Sequence, residues 1–213
     1  MTRHLSRAVL LLALAAGAAF APQAHATTFL PLTIENMADV AAVIVEGEVV
    51  EVWTELDDNG NIWTRARVQV TDVWKGADVG AEVIIDSIGG TFGARTTHVE
   101  GQAVFSVGEP LLAFLHQAAD GRLVPLGKFH GKFTLRRAPG DKGLHLRRWH
   151  PVNNQPFDHR FIPHLPVERR LYLDDIEAQI RDQLAQPWDG HEIPGVSPEL
   201  LQRVNTPAAR TVR

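Results

Sequence analysis

The stretch "VIVEGEVVEVWTELDDNGNIWTRARVQVTDVW", residues 43–74, decides the fold. Both arms are rich in β-branched and aromatic residues, and the DDNGN between them is a cluster of turn formers, so the pattern predicts a β-hairpin. Pairing Leu56 with Ile62 sets Val50 opposite Val68, Val52 opposite Ala66 and Thr54 opposite Thr64 on one face. On the other face Glu51 meets Arg67, Trp53 meets Arg65 and Glu55 meets Trp63, with Trp63 diagonal to Trp53. Alternation sends the first set inward and leaves the second, with its indole and guanidinium groups, half-exposed.

Strand-like segments continue on the C-terminal side. "AEVIIDSI" (81–88) and the less regular "RTTHVEG" (95–101) precede "EPLLAFLHQ" (109–117), whose unbroken apolar middle predicts a strand buried on both sides. "RLVPLG" follows an AADG turn. "KFTLRR" and "LHLRRW" then flank APGDKG as a last hairpin with Phe133, Leu135, Leu144 and Leu146 facing inward. Short strands separated by regular turn signals predict a mainly β fold, an OB-like closed or partly open β-barrel or a sandwich, over residues 27–150. Ahead of the hairpin, "TIENMADVA" offers Thr33 as N-cap and Ile34, Met37 and Ala41 at helical spacing, predicting a short N-terminal helix.

Residues 151–165 lie in a Pro/His-rich run without usable period and read as a long loop. An amphipathic C-terminal helix is expected over 166–186, with Val167, Leu171, Ile180 and Leu184 on one stripe and Ile176 beside it, packed on the barrel. Residues 187–213 are expected to form a mobile tail with a short turn at SPELLQRV.

The N-terminus speaks to destination. "MTRHLSR" carries two arginines and no acid, "AVLLLALAAGAAF" is apolar, and "APQAHA" ends in small residues at Ala24 and Ala26. This is the plan of a signal peptide, residues 1–26, with cleavage before Thr27 and a secreted or periplasmic product that keeps no membrane span. Removing it leaves a formal charge of −6. That balance argues against nucleic acid as a general partner, which would need clustered Lys and Arg. The chain has no cysteine, so its stability rests on its core, and thiolate zinc sites are excluded.

"DSIGGTFGARTTHVEGQ" (86–102) raises the question of a phosphate cradle. Such a loop opens a helix and brings a lysine, whereas this one runs on into β-like sequence; its glycines are expected to turn a corner in a curled sheet. With these segments in view, "ADVAAVIVEGEVVEVWTE", "VTDVWKGADVGAEVII", "IGG", "VEGQAVFSVGEPLLAFL" and "GKFTLRR", in this order over about residues 38–137, resemble a family of exported, mostly uncharacterised bacterial proteins with an OB-fold-like barrel. The layout is similar to the netrin-like domain of tissue inhibitors of metalloproteinases. This chain lacks their cysteines, including the N-terminal one that chelates zinc, and only the free amine of Thr27 would stand in that place.

Catalytic signatures are sparse. His150, Asp158, His159 and His164 are the candidate metal ligands of an alternative reading, a metal-dependent hydrolase, although the prolines among them preclude a helical pair of ligands. Ser87 lacks a nucleophile elbow. Arg136, Arg137, Arg147 and Arg148 converge on the last hairpin and suit an anionic envelope polysaccharide, a third reading. The leading expectation is a cofactor-free, non-enzymatic binding or inhibitory module. It acts on another extracytoplasmic protein, a protease being one such class, through Trp53, Trp63, Arg65 and Arg67, with Arg136 and Arg147 as further binding residues.

Overall fold

A computed structural model describes residues 32–140, 142–149, 156–157, 171–207 and 209–210. The proposed signal peptide, the loop 151–165 save its residues 156–157, and His150, Asp158, His159 and His164 lie outside them.

The fold is mainly β. Strands β1 (Val43–Leu56), β2 (Ile62–Lys75), β3 (Glu82–Ile88), β6 (Pro110–Gln117), β8 (Lys132–Arg136), β9 (His145–Trp149) and β10 (Pro156–Phe157) form one antiparallel sheet in the order β10-β9-β8-β6-β1-β2-β3, and β7 (Leu123–Pro125) pairs with β6 off that path. β4 (Gly90–Phe92) and β5 (Arg95–Thr97) make a separate two-stranded ribbon. The helices are α1 (Ile34–Val40), α2 (Leu173–Ala185) and α3 (Pro198–Val204).

β1 and β2 pair in the expected register from Leu56–Ile62 back to Glu51–Arg67. The expected Val50–Val68 pair does not form: Val49 takes that place, a bulge follows, and Val50 faces solvent. The cause is a change of phase. Val45 and Val49 are buried at odd positions, whereas Val52 and Thr54 face inward at even ones, and one extra residue lets both sets point inward.

The sheet serves two cores. Val45, Val49, Ala66, Val68, Ile85, Leu111, Ala113 and Leu115 pack inside its curl. Ile44, Trp74, Leu112, Phe114, Phe133, Leu135 and Leu146 pack with the helices on its other face. β6 contributes alternate residues to each, which is why its sequence is apolar without a break. Each Leu or Phe so buried is worth roughly 1.5–3 kcal/mol.

The sheet is not closed by hydrogen bonds. β3 and β7 lie in contact across a seam, but no ladder joins them. β7 has only three residues. Leu126 N donates to Phe114 O at 2.8 Å, so Pro125 next to it turns the other way, toward the seam, and has no N–H to offer.

The C-terminal region differs from expectation in two ways. The helix begins at Leu173, not at 166, because Leu171 and Tyr172 run extended beside β9: Leu146 N donates to Leu171 O and Leu173 N to Leu144 O, both at 2.8 Å, and Val167 of the expected stripe lies outside the described residues. Ile176 is buried with Leu173, Ile180 and Leu184, in the stripe itself. Where a mobile tail was expected, the described residues 187–207 and 209–210 pack on the helices. Ser197 caps α3 by accepting from Leu200 N at 3.2 Å, Ile193 and Leu201 belong to the helical core, and Val204 is buried.

Candidate functional site

The β1–β2 turn is organised by one carboxylate. Asp57 Oδ1 accepts from Asn59 N at 2.9 Å and Asn61 N at 2.8 Å, while Oδ2 accepts from Asn61 Nδ2 at 2.9 Å and Trp63 Nε1 at 3.0 Å. These bonds favour the ionised form and lower the Asp57 pKa to about 2, led by those from the Asn61 and Trp63 side chains. The turn therefore also fixes the first indole.

Outward from it the four expected binding residues lie together. Trp53 and Trp63 are half-buried on the outer face of the hairpin. The Arg65 and Arg67 guanidinium carbons stand 5.7 and 5.5 Å from the Trp53 ring centre, and Arg122, from the β6–β7 turn, stands 4.4 Å from that of Trp63. The chain's own distal part thus covers one ring in part and buries neither. Arg65 Nη1 donates to Glu55 Oε1 at 2.5 Å and its Nε lies 2.8 Å from Asp86 Oδ1. Arg67 lies 2.7 Å from Glu51 and 3.7 Å from Glu82, and Arg122 2.5 Å from Asp120. Burial pushes the Asp86 carboxyl up, opposed by Arg65. The guanidiniums are held in place and neutralised, so the face is an ordered mosaic of aromatic and paired charge, not the cationic patch its arginine count suggests.

This face runs into a cleft of about 690 Å³ beside the seam. Val43, Val79, Val83 and Leu123 form its apolar part, and Asp78, Glu82, Asp86 and Asp120 its acidic part, with Arg65 and Arg122 between. Neither β7 nor Arg122 figured in the sequence reading of the site, since the sheet curl that brings residue 122 to residue 63 has no local signal.

The second set of arginines separates. Arg136 and Arg137 are exposed and Arg147 is half-buried, but Arg148 is 1% exposed, 4.2 Å from the Phe133 ring centre and with Nη2 3.7 Å from Met37 Sδ. It occupies the inward side of β9 with Leu146, so the surface of this hairpin is left to Arg136, Arg137 and Arg147. The glycine cluster turns a corner: Gly89 and Gly90 have φ of 103° and 128°, and a Cβ on Gly90 would come 2.5 Å from Thr64 Oγ1. β4 follows directly and no helix opens there. Among the described residues no group of three or more acids and histidines is placed to hold a metal, and no helix is long and apolar enough to cross a membrane.

Sequence reading also missed the segment 102–109. Ala103 and Phe105 anchor it in the inner core while Val104 and Val107 stand 63% and 67% exposed. Lys132 Nζ holds it by donating to Val104 O at 2.7 Å and Glu109 Oε1 at 2.5 Å. The alternation in AVFSV was the available signal. In comparisons with known proteins, no family model matches this chain and no curated protein does.

Proposed function

We propose that the chain is an exported, non-enzymatic binding module of the extracytoplasmic space that engages another protein through the Trp53–Trp63 face. The observation that carries this reading is that two half-exposed indoles are braced by Arg65, Arg67 and Arg122, each itself ion-paired. Rigid aromatics beside arginine are the side chains on which protein interfaces concentrate their binding energy, and bracing lowers the entropy lost on docking. The contact of β3 with β7 supports an OB-like barrel lacking its last ladder, and the apolar N-terminal run with small residues at Ala24 and Ala26 supports export.

The test is affinity capture from the host's extracytoplasmic fraction with wild-type protein and with Trp53→Ser/Trp63→Ser, followed by calorimetry on the purified captured protein. The reading predicts saturable binding weakened at least about tenfold in the double variant, as for hot-spot aromatics. Equal binding by the two proteins contradicts it.

A further inference from the structure

Lys75 stands where three parts of the chain meet. At the end of β2 its Nζ donates to Ala38 O at 2.8 Å and Asp39 O at 3.0 Å, two carbonyls of the last turn of α1, and the residue is 1% exposed. No carboxylate oxygen lies within ion-pair distance of that nitrogen among the described residues. The Asp39 carboxylate, fully buried, is taken by Arg210 instead, whose Nη1 lies 2.7 Å from Oδ1. One residue thus holds two basic side chains, the amine by its backbone and the guanidinium by its carboxylate.

Arg210 is also the point at which the C-terminal segment is tied down. Its guanidinium donates to Gln183 O at 2.5 Å and Leu184 O at 3.3 Å, closing the end of α2, and to Asn205 Oδ1 just beyond α3. In the segment so held, α3 is in contact with α1, and Ile193 and Leu201 belong to the helical core.

The charges around Lys75 do not balance when it carries a proton. Burial and then repulsion from Arg210 push its pKa down to about 7, and attraction to Asp39 is the smallest of the three effects. Coupling between two sites is reciprocal: a seated Arg210 disfavours a proton on Lys75, so a proton on Lys75 disfavours the seat of Arg210. With Arg210 away, the ammonium has Asp39 to itself. Other groups at this place are His191, whose Nε2 is 3.8 Å from Asp39 Oδ2 and whose Nδ1 is 2.5 Å from Asp189 Oδ1, and, from α2, the amide of Gln183 on Asp39 Oδ2. Arg181 of α2 is turned to Glu177 and Asp72, and Glu35 of α1 accepts from Gln179.

We propose that Lys75 is a proton-operated release for the C-terminal segment: a proton on its amine displaces Arg210 from Asp39 and lets the described residues 187–207 and 209–210 lift from α1 and α2. The sign follows from linkage. Lys75 takes up its proton more readily with the segment lifted, so opening is suppressed as pH rises above 7, by up to about tenfold per unit, and this group leaves it level below 7.

The chain has no cysteine, so a single one reports opening. Val204→Cys, at a position 4% exposed in α3, reads release of the segment, and Val68→Cys, at a position 0% exposed in the inner core, reads global unfolding. Each purified variant is reacted with a soluble thiol reagent from pH 7 to 9, and its rate is divided by that of a cysteine peptide at the same pH, which removes the ionisation of the thiol. The expected result is that Val204→Cys reacts faster than Val68→Cys at pH 7 and that its corrected rate falls as pH rises. Adding Lys75→Met abolishes the fall, whereas adding His191→Gln keeps it. Equal corrected rates at the two cysteines, a fall that persists in Lys75→Met, or one lost in His191→Gln overturns the inference. Because Lys75→Met also removes two buried hydrogen bonds, the coupling is read a second way, by NMR titration of isotope-labelled lysine Cε in wild type and in Arg210→Gln. The Lys75 midpoint is expected to rise in Arg210→Gln; an unchanged midpoint overturns the proposal.

Discussion

At the scale of single residues, Asp57 and Lys75 carry the clearest consequences. Asp57 joins the hairpin turn to the Trp63 indole through four hydrogen bonds. Its pKa, lowered to about 2, means that the stability it contributes is present above the ordinary carboxylate range and is lost as pH falls through about 4 to 2. Asp57→Ala is expected to loosen the turn and shift Trp63 fluorescence at neutral pH, with the wild-type protein showing that change only on acidification. Lys75 is 1% exposed, and its Nζ donates to Ala38 O at 2.8 Å and Asp39 O at 3.0 Å, where α1 ends. Burial and then Arg210 push its pKa down to about 7. Between pH 7 and its unfolded pKa near 10.5 the unfolded chain binds the extra proton, so stability rises with pH across that window, by up to about 1.4 kcal/mol per pH unit. Denaturant unfolding at pH 7, 8 and 9 checks this: the wild type gains stability from this group and Lys75→Met lacks that gain. A neutral amine still supplies two donors for the two carbonyls, so neither bond is lost on deprotonation.

At the scale of elements, period-two patterning made the hairpin, β6 and the last hairpin legible, because in each a buried face imposes alternation or an unbroken apolar run. Phe133, Leu135 and Leu146 are buried as expected. The bulge at Val50 was not read, although the adjacent valines 49 and 50 mark the phase change. The start of α2 escaped for another reason: residues 171–173 obey a backbone bond to β9, and a helical stripe cannot report a tertiary hydrogen bond. Gly90→Ala is expected to cost more than about 1 kcal/mol, since the added methyl meets Thr64 and Thr54 at a φ of 128°. Thermal unfolding measures it. Gly60→Ala, in the open β1–β2 turn with nothing within 4 Å, changes the φ strain without a clash and is the control.

At the scale of the whole molecule, the C-terminal region is tied to the N-terminal helix through a buried ion pair. Arg210 Nη1 lies 2.7 Å from Asp39 Oδ1, with Asp39 fully buried, and Gln183 Nε2 donates to Asp39 Oδ2 at 2.9 Å. Arg210 also donates to the backbone of Gln183 and Leu184 at the end of α2. The sequence reads 187–213 as a mobile tail with a short turn at SPELLQRV; what ties its described residues down is a contact across 171 residues that no window in sequence contains. Arg210→Ala removes the closest cation from a buried carboxylate, leaving it Gln183 and His191 Nε2 at 3.8 Å, and is expected to destabilise the fold by about 3 kcal/mol in equilibrium unfolding. The candidate site was legible to the same degree. Trp53, Trp63, Arg65 and Arg67 could be placed on one face by alternation, whereas Arg122 and Asp86 join it only through the curl of the sheet.

That the hairpin's outer face is where a partner docks can be tested by site-specific photo-cross-linking in the host. A photoreactive residue replaces Glu51, exposed beside Trp53, or Arg137, exposed at the far hairpin. The account predicts a discrete cross-linked protein from position 51, competed away by unlabelled wild type but not by Trp53→Ser/Trp63→Ser, and none from position 137. The same adduct from both positions, or an adduct at 51 that the double variant competes as well as wild type does, would contradict it.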